Sequence, residues 1–152
     1  DNLWLYWPCG RPIAGVTSRS GLAQVLAHLP DEREMETTAK AFELLKGISL
    51  DLINVFPDHF SVAVDKRDAG RAVGLLESLG IYAGTLRDKA KVTAVGYGIS
   101  GRPGIMERLV DALWSQKIHV YASSDSNTSL SCLVDEEQLN RAVNVVHSAC
   151  AL

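Results

Sequence analysis

Apolar and polar positions recur along this chain in short runs whose periods predict a succession of strands and helices. Leu22-Ala23-Gln24-Val25-Leu26-Ala27-His28 alternates as a strand does. Met35, Ala39, Phe42 and Leu45 recur at helical spacing, Ala41 and Leu44 widen that stripe, and Gly47 stands where a helix commonly stops. Ile48 to Val55 reads as a strand, Pro57-Asp58 as a turn, and Phe60 to Val64 as the second strand of a hairpin. Asp65 is placed to cap a helix with the face Ala69, Ala72, Val73 and Leu76; Gly80 ends it, and Ile81 to Leu86 closes the series as a strand.

The same order then recurs. Lys91 to Val95 reads as a strand, a glycine-rich loop follows, and Pro103 sits where the first helical turn tolerates proline. Ile105, Leu109, Ala112 and Leu113 line the predicted helix. Ile118 to Ala122 and Ser129 to Val134 are predicted strands around a polar turn, Ser123 to Thr128. Asp135-Glu136-Glu137-Gln138 has the form of a capping box, and Leu139, Ala142, Val143 and Val146 line the last helix.

The recurrence is visible in the residues themselves. Displaced by 70 positions, Ile48 falls on Ile118, Ser61 on Ser131, Val64 on Val134, Asp65 on Asp135, and Arg71-Ala72-Val73 on Arg141-Ala142-Val143, without a gap; Val25 also falls on Val95. The expected fold class is α+β: two ferredoxin-like βαββαβ units, each an antiparallel sheet with its helices on one face. The expected boundaries are 1–16 for an N-terminal extension, 17–88 for the first unit and 89–152 for the second. The second unit has no final strand of its own, and the β-prone Leu3-Trp4-Leu5-Tyr6-Trp7 is the candidate to supply it.

Composition narrows the classes of function. The 152 residues carry 15 Lys+Arg against 18 Asp+Glu, a net charge of −3, with 47% apolar and 22% charged residues. That is a globular composition, and it lacks the basic run that nucleic-acid binding relies on. Cys9, Cys132 and Cys150 are odd in number and widely spaced, which argues against a disulfide framework or a zinc site and fits a reducing cytoplasm. No apolar run reaches membrane-spanning length, and the start has no signal-peptide character. A start without Met reads as a piece of a longer chain.

Two such units, the second led by Gly96-Tyr97-Gly98-Ile99-Ser100-Gly101-Arg102-Pro103-Gly104-Ile105, resemble the tandem ACT domains of the aspartate kinase family. The resemblance continues through Ser123-Ser124-Asp125-Ser126, Val134-Asp135 and Ala142-Val143-Asn144-Val145-Val146-His147. It covers roughly residues 13 to 150 and is strongest over 90 to 150. Ser123 to Ser129 is most similar to the diaminopimelate-sensitive isoform. The first unit departs from the pattern, with Asp31-Glu32-Arg33-Glu34 in place of Pro-Gly before its helix and Asn54-Val55-Phe56-Pro57 at its turn. The kinase motif Lys-Phe-Gly-Gly is absent.

The resemblance implies the regulatory, amino-acid-sensing part of an enzyme that makes 4-phospho-L-aspartate from ATP and L-aspartate, under feedback inhibition in lysine, diaminopimelate and threonine biosynthesis. It implies no catalytic residue, metal ligand or cofactor here, ATP and magnesium belonging to a kinase domain outside this chain. The implied partners are meso-diaminopimelate, lysine or threonine, that kinase domain, and a second copy of the chain through its sheets. A dimerisation module of the same enzyme that senses nothing is the alternative.

Residue chemistry points to the second unit as the ligand site. A glycine-rich loop entering a helix presents backbone N–H groups and the positive end of the helix dipole to a carboxylate. Candidates there are Gly98, Ile99, Ser100, Gly101, Pro103, Gly104 and Ile105. At the polar turn, Asp125 is placed for an ammonium group, with Ser124, Ser126, Asn127 and Thr128 as hydrogen-bonding neighbours. Asp51 and Asn54 are the candidates in the first unit. On residue chemistry alone, glycines that only shape a turn and serines that only solvate a hairpin are the better account of the pattern; the resemblance reverses that. Gly96, Gly98 and Gly101 also spell GxGxxG, with Asp125 ending the next strand, but a short turn to the following strand makes an antiparallel hairpin, not a dinucleotide crossover. His28, His59, His119 and His147 have no ligand spacing. Arg87, Lys89 and Lys91 read as a solvated edge strand.

Overall fold

The computed structural model describes residues 15–29, 34–96 and 104–150. Six strands and four helices follow in the order β1 (Gly15–His28), α1 (Glu34–Leu44), β2 (Asp51–Val55), β3 (His59–Asp65), α2 (Ala69–Ser78), β4 (Tyr82–Val95), α3 (Ile105–Ser115), β5 (Ala122–Ser126), β6 (Ser129–Asp135) and α4 (Leu139–Cys150). Contacts divide the chain into an inserted unit, Gly21–Lys89, and a split unit formed by 1–20 with 90–152. The divisions fall inside β1 and β4, beside the left-handed residues Gly21 (φ 73°) and Asp88 (φ 58°). Glycine adopts that conformation freely and Asp is among the few other residues that tolerate it.

The inserted unit has the strand order β2-β3-β1-β4. Strand β3 pairs antiparallel with β1, in register from Leu22↔Asp65 to His28↔His59, and with β2. Alternation sends Ala23, Val25 and Ala27 of β1 and Phe60, Val62 and Val64 of β3 to one face. There they meet Ala41 of α1, Leu45 just after it, and Ala69, Ala72 and Leu76 of α2. The split unit has the order β1-β4-β6-β5, with Val92, Ala94, Leu130, Cys132 and Val134 packed under Leu109 and Leu113 of α3 and Ala142 and Val146 of α4. Each unit is therefore an antiparallel sheet with two helices on one face, the α+β arrangement the hydrophobic pattern predicts.

The repeated Arg-Ala-Val has a physical cause. Ala72 and Ala142 are fully buried in the helix layer. The Arg141 guanidinium donates to the backbone carbonyl of Gln116 at the end of α3. Arg71 lies equivalently, its guanidinium 3.0 Å from where a Cβ on Gly47 would stand. A cation at a helix C-terminus meets unpaired carbonyls and the negative end of the dipole.

Several elements differ from the sequence reading. Met35 is 89% exposed and Ala39 is exposed as well; the buried side of α1 runs through Ala41 and Leu45 instead. Ile48 is buried but precedes the strand, which begins only at Asp51. The predicted strands Ile81–Leu86 and Lys91–Val95 are one continuous β4. Lys89 is only 6% exposed, with Nζ donating to the Arg87 carbonyl at 3.1 Å, so it is not part of a solvated edge. Asp135 makes no side-chain cap; its carboxylate accepts from the Tyr121 hydroxyl at 3.1 Å. Leu3–Trp7 and Pro103 lie outside the described residues, within which Gly15–Ser20 is the N-terminal segment that goes with the split unit.

Candidate functional site

In the split unit the chain leaves β4 at Gly96, whose backbone N–H donates to the Thr128 carbonyl at 2.8 Å. Thr128 belongs to the hairpin joining β5 and β6. The start of the glycine-rich loop and the serine-rich hairpin are thus tied together by main-chain atoms. Gly104, the residue before α3, has φ 80° and ψ 0°. An L side chain there would be strained, and the Gly104 carbonyl accepts the first helical bond from the Arg108 N–H at 2.9 Å. Gly98, Ile99, Ser100, Gly101 and Pro103 lie outside the described residues.

The polar stretch predicted as a turn is mostly strand. Ser123, Ser124, Asp125 and Ser126 pair with Cys132, Ser131, Leu130 and Ser129 of β6, leaving Asn127-Thr128 as the two-residue turn. Pairing partners share a face, so strand alternation splits the motif. Asp125 lies opposite Leu130 and Ser123 opposite Cys132, both on the face covered by α3 and α4. Ser124 and Ser126 lie on the other face, opposite Ser131 and Ser129. The side chain that shares the sheet face of α3 is therefore Asp125, with Ser123 beside it. Ser123 was not singled out by the sequence because spacing was read as a turn, where faces have no meaning.

Several side chains are engaged locally. Ser126 and Ser129 share a hydroxyl hydrogen bond at 2.9 Å, and the Thr128 N–H donates to Ser126 Oγ at 3.3 Å, so the hairpin braces itself. Asp125, Asn127 and Thr128 are exposed, and Ser124 is half-buried. Ile105, half-buried, packs against the hydrophobic cluster of the split unit. Along α3 itself, a shallow open cleft of about 530 Å³ begins at Gly104 and runs past Glu107, Arg108 and Asp111 to Ser115.

Asp51 and Asn54 belong to the inserted unit and serve its own backbone. Leu52 between them has φ 47° at a register shift in β2. Its N–H donates to Asp51 Oδ1 at 2.8 Å and its carbonyl accepts from Asn54 Nδ2 at 3.2 Å. The two side chains hold a bulge that a leucine would otherwise resist. Among the described residues no three His, Cys, Asp or Glu side chains gather as a metal site, and no helix is long and apolar enough to cross a membrane.

Comparison with known proteins meets this geometry from outside. The family model for the ACT domain matches residues 92–150. Aspartokinase 1 of Bacillus subtilis is 33% identical over 138 residues, which is 84% of this chain and 34% of that relative. An aspartate kinase of Stutzerimonas stutzeri is 29% identical over 132 residues, covering 77% of this chain and 32% of its own length. This chain thus spans about a third of those curated relatives. The ligand-free regulatory subunit of aspartate kinase from Thermus thermophilus superposes with a TM-score of 0.83 at 26% identity, over 93% of this chain and 100% of that one.

Proposed function

We propose, for a chain that belongs with the regulatory ACT domains of the aspartate kinase family, that it senses an end-product amino acid and transmits its binding to a kinase domain that phosphorylates L-aspartate. The observation that carries this reading is the Gly96–Thr128 hydrogen bond, which joins the loop entering α3 to the hairpin bearing Asp125. The N-terminus of α3 and the glycine loop would receive the effector's carboxylate, and Asp125 its ammonium. A basic or hydroxylated amino acid of the aspartate-derived series fits this polarity, with meso-diaminopimelate first, then lysine and threonine.

Regulation follows from linkage. An effector shifts the kinase only as far as its affinity differs between the states of the regulatory units. Partnership with a second copy of the chain and residence in the cytoplasm belong to the same proposal. Thermal unfolding in the presence of each amino acid tests it. Ligand at about 100 times its dissociation constant adds about 2.7 kcal/mol to the folded state and raises Tm. An unchanged Tm with all three leaves only the role of a dimerisation module.

A further inference from the structure

We propose that His28 and His59 form a two-imidazole site for a divalent transition-metal ion, with the Asp58 carboxylate as outer partner and water completing the ion's shell. The site lies wholly within the inserted unit and is independent of the sensing role.

Strand register makes the pair, which spacing along the chain conceals. His28 ends β1, His59 begins β3, and the two stand directly opposite each other in the antiparallel ladder. Their neighbours Ala27 and Phe60 are buried in the helix-covered core, so alternation puts both imidazoles on the sheet's other face. The Leu29 N–H donates to the Asp58 carbonyl at 2.9 Å, one residue further along each strand. A bond in that place marks His28 and His59 as a non-hydrogen-bonded pair, the kind whose Cα atoms come within about 4.5 Å and whose side chains approach most closely. Their ring centroids lie 6.3 Å apart, with 37° between the planes. Two imidazoles held on one ion by nitrogen bonds of about 2.0–2.1 Å have centroids roughly 5–6.5 Å apart. A small turn about the side-chain bonds therefore brings both rings onto one ion.

His59 is already oriented as a ligand. Its Nδ1 lies 2.6 Å from Asp58 Oδ1. An ionised carboxylate only accepts, so Nδ1 carries the proton, and in the neutral ring Nε2 keeps the lone pair that a metal takes. A carboxylate behind a ligand histidine fixes its tautomer and raises its basicity. Phe56 stacks on the same ring at 4.5 Å, with 14° between the planes, and Tyr82 flanks His28 at 6.2 Å. The hydrogen bond from His59 is the main cause that holds the Asp58 carboxyl below its ordinary range, and the charge of His28 adds to it, so both rings act on the same carboxylate. No three His, Cys, Asp or Glu ligands gather among the described residues, so the ion keeps water in its open positions. His28 is exposed and His59 half-buried, which leaves the pair open to solvent. Imidazole nitrogens favour ions such as Zn²⁺, Ni²⁺ and Cu²⁺ over Mg²⁺ and Ca²⁺, which take oxygen.

Isothermal titration of the chain, carrying no histidine tag, with Ni²⁺ alone tests the site. About one Ni²⁺ per chain is expected. His28→Gln and His59→Gln should each weaken it at least about tenfold and Asp58→Asn about tenfold, while His119→Gln changes it by less than about twofold. Circular dichroism of each variant confirms folding. In the unsubstituted chain, paramagnetic broadening of amide NMR signals by Ni²⁺ locates the ion without any variant, and should begin at His28, Asp58 and His59. No saturable binding up to about 1 mM Ni²⁺ overturns the proposal. So does binding that survives both histidine variants, broadening centred elsewhere, or an equal response to Mg²⁺.

Discussion

The Thr93 and Ser131 hydroxyls, on neighbouring strands β4 and β6, share a hydrogen bond of 2.9 Å in a buried position. Two polar groups out of water need each other: removing one leaves the other unsatisfied, at about 1–3 kcal/mol. Ser131→Ala is therefore expected to lower stability by that amount. Thr93→Val combined with Ser131→Ala should recover part of the loss, because no orphan remains. Urea denaturation of the two single variants and the double variant measures the coupling.

A second expectation comes from the end of α3. The Lys117 N–H donates to the Trp114 carbonyl at 2.8 Å and the Ile118 N–H to the Leu113 carbonyl at 2.9 Å, with Lys117 at φ 60°. This is the Schellman closure that glycine normally makes. At the end of α2, Gly80 takes the same place at φ 75°, with the Ile81 N–H on the Leu76 carbonyl at 3.2 Å. Lys117→Gly relieves the left-handed strain and is expected to stabilise the chain by about 0.5–1 kcal/mol. Gly80→Lys should destabilise it by a similar amount. A pair of thermal melts shows whether the two signs are opposite.

Gly104 makes a sharper demand, since it stands between the loop and α3. At φ 80° an alanine is strained by about 1–2 kcal/mol, although nothing lies within 4 Å of its Cβ. Gly104→Ala is thus expected to lower stability and, by shifting the loop, to weaken amino-acid binding more than an exposed Gly84→Ala does. Comparing melts and titrations of the two variants separates local strain from a general effect of losing glycine.

Protonation of Asp58 gives a pH dependence. Its hydrogen bond with His59 is the main cause of its depressed pKa. A carboxylate lowered on folding contributes stability above its unfolded value, near about 3.9, and loses it as pH falls through the lower folded value. The group is fully exposed, so the contribution is small. A carbon-detected NMR titration is expected to place the Asp58 midpoint below that of an ordinary aspartate, and His59→Ala should return it to the ordinary range.

Much of the architecture was legible in the chain because burial imposes it locally. The helix stripes Ala69, Ala72, Leu76 and Leu109, Leu113 are buried as their spacing implies. The 70-residue displacement marks residues in the same place in both units, Arg71 and Arg141 beside the end of each unit's first helix above all. What sequence reading missed depends on strand pairing. Serines and an aspartate suggest a turn, yet Ser123 to Ser126 form a strand because β6 supplies partners for their backbone. That pairing alone decides that Asp125 faces the helices while Ser124 and Ser126 do not. Likewise, nothing local to Tyr82–Val95 shows that two short apolar runs are one strand, since the bend at Asp88 interrupts the alternation. The candidate site was legible as chemistry, and only partly as geometry.

The central claim is that an amino acid binds where the glycine loop meets the hairpin of the split unit. Its most direct test is the change in assigned backbone amide NMR signals as meso-diaminopimelate, lysine or threonine is added. Saturable shifts are expected to concentrate at Gly96, Gly104, Asp125 and Thr128, with Leu29, Asp58 and His59 little changed. Saturable shifts centred on Leu29, Asp58 and His59, or none with any of the three amino acids, would contradict it.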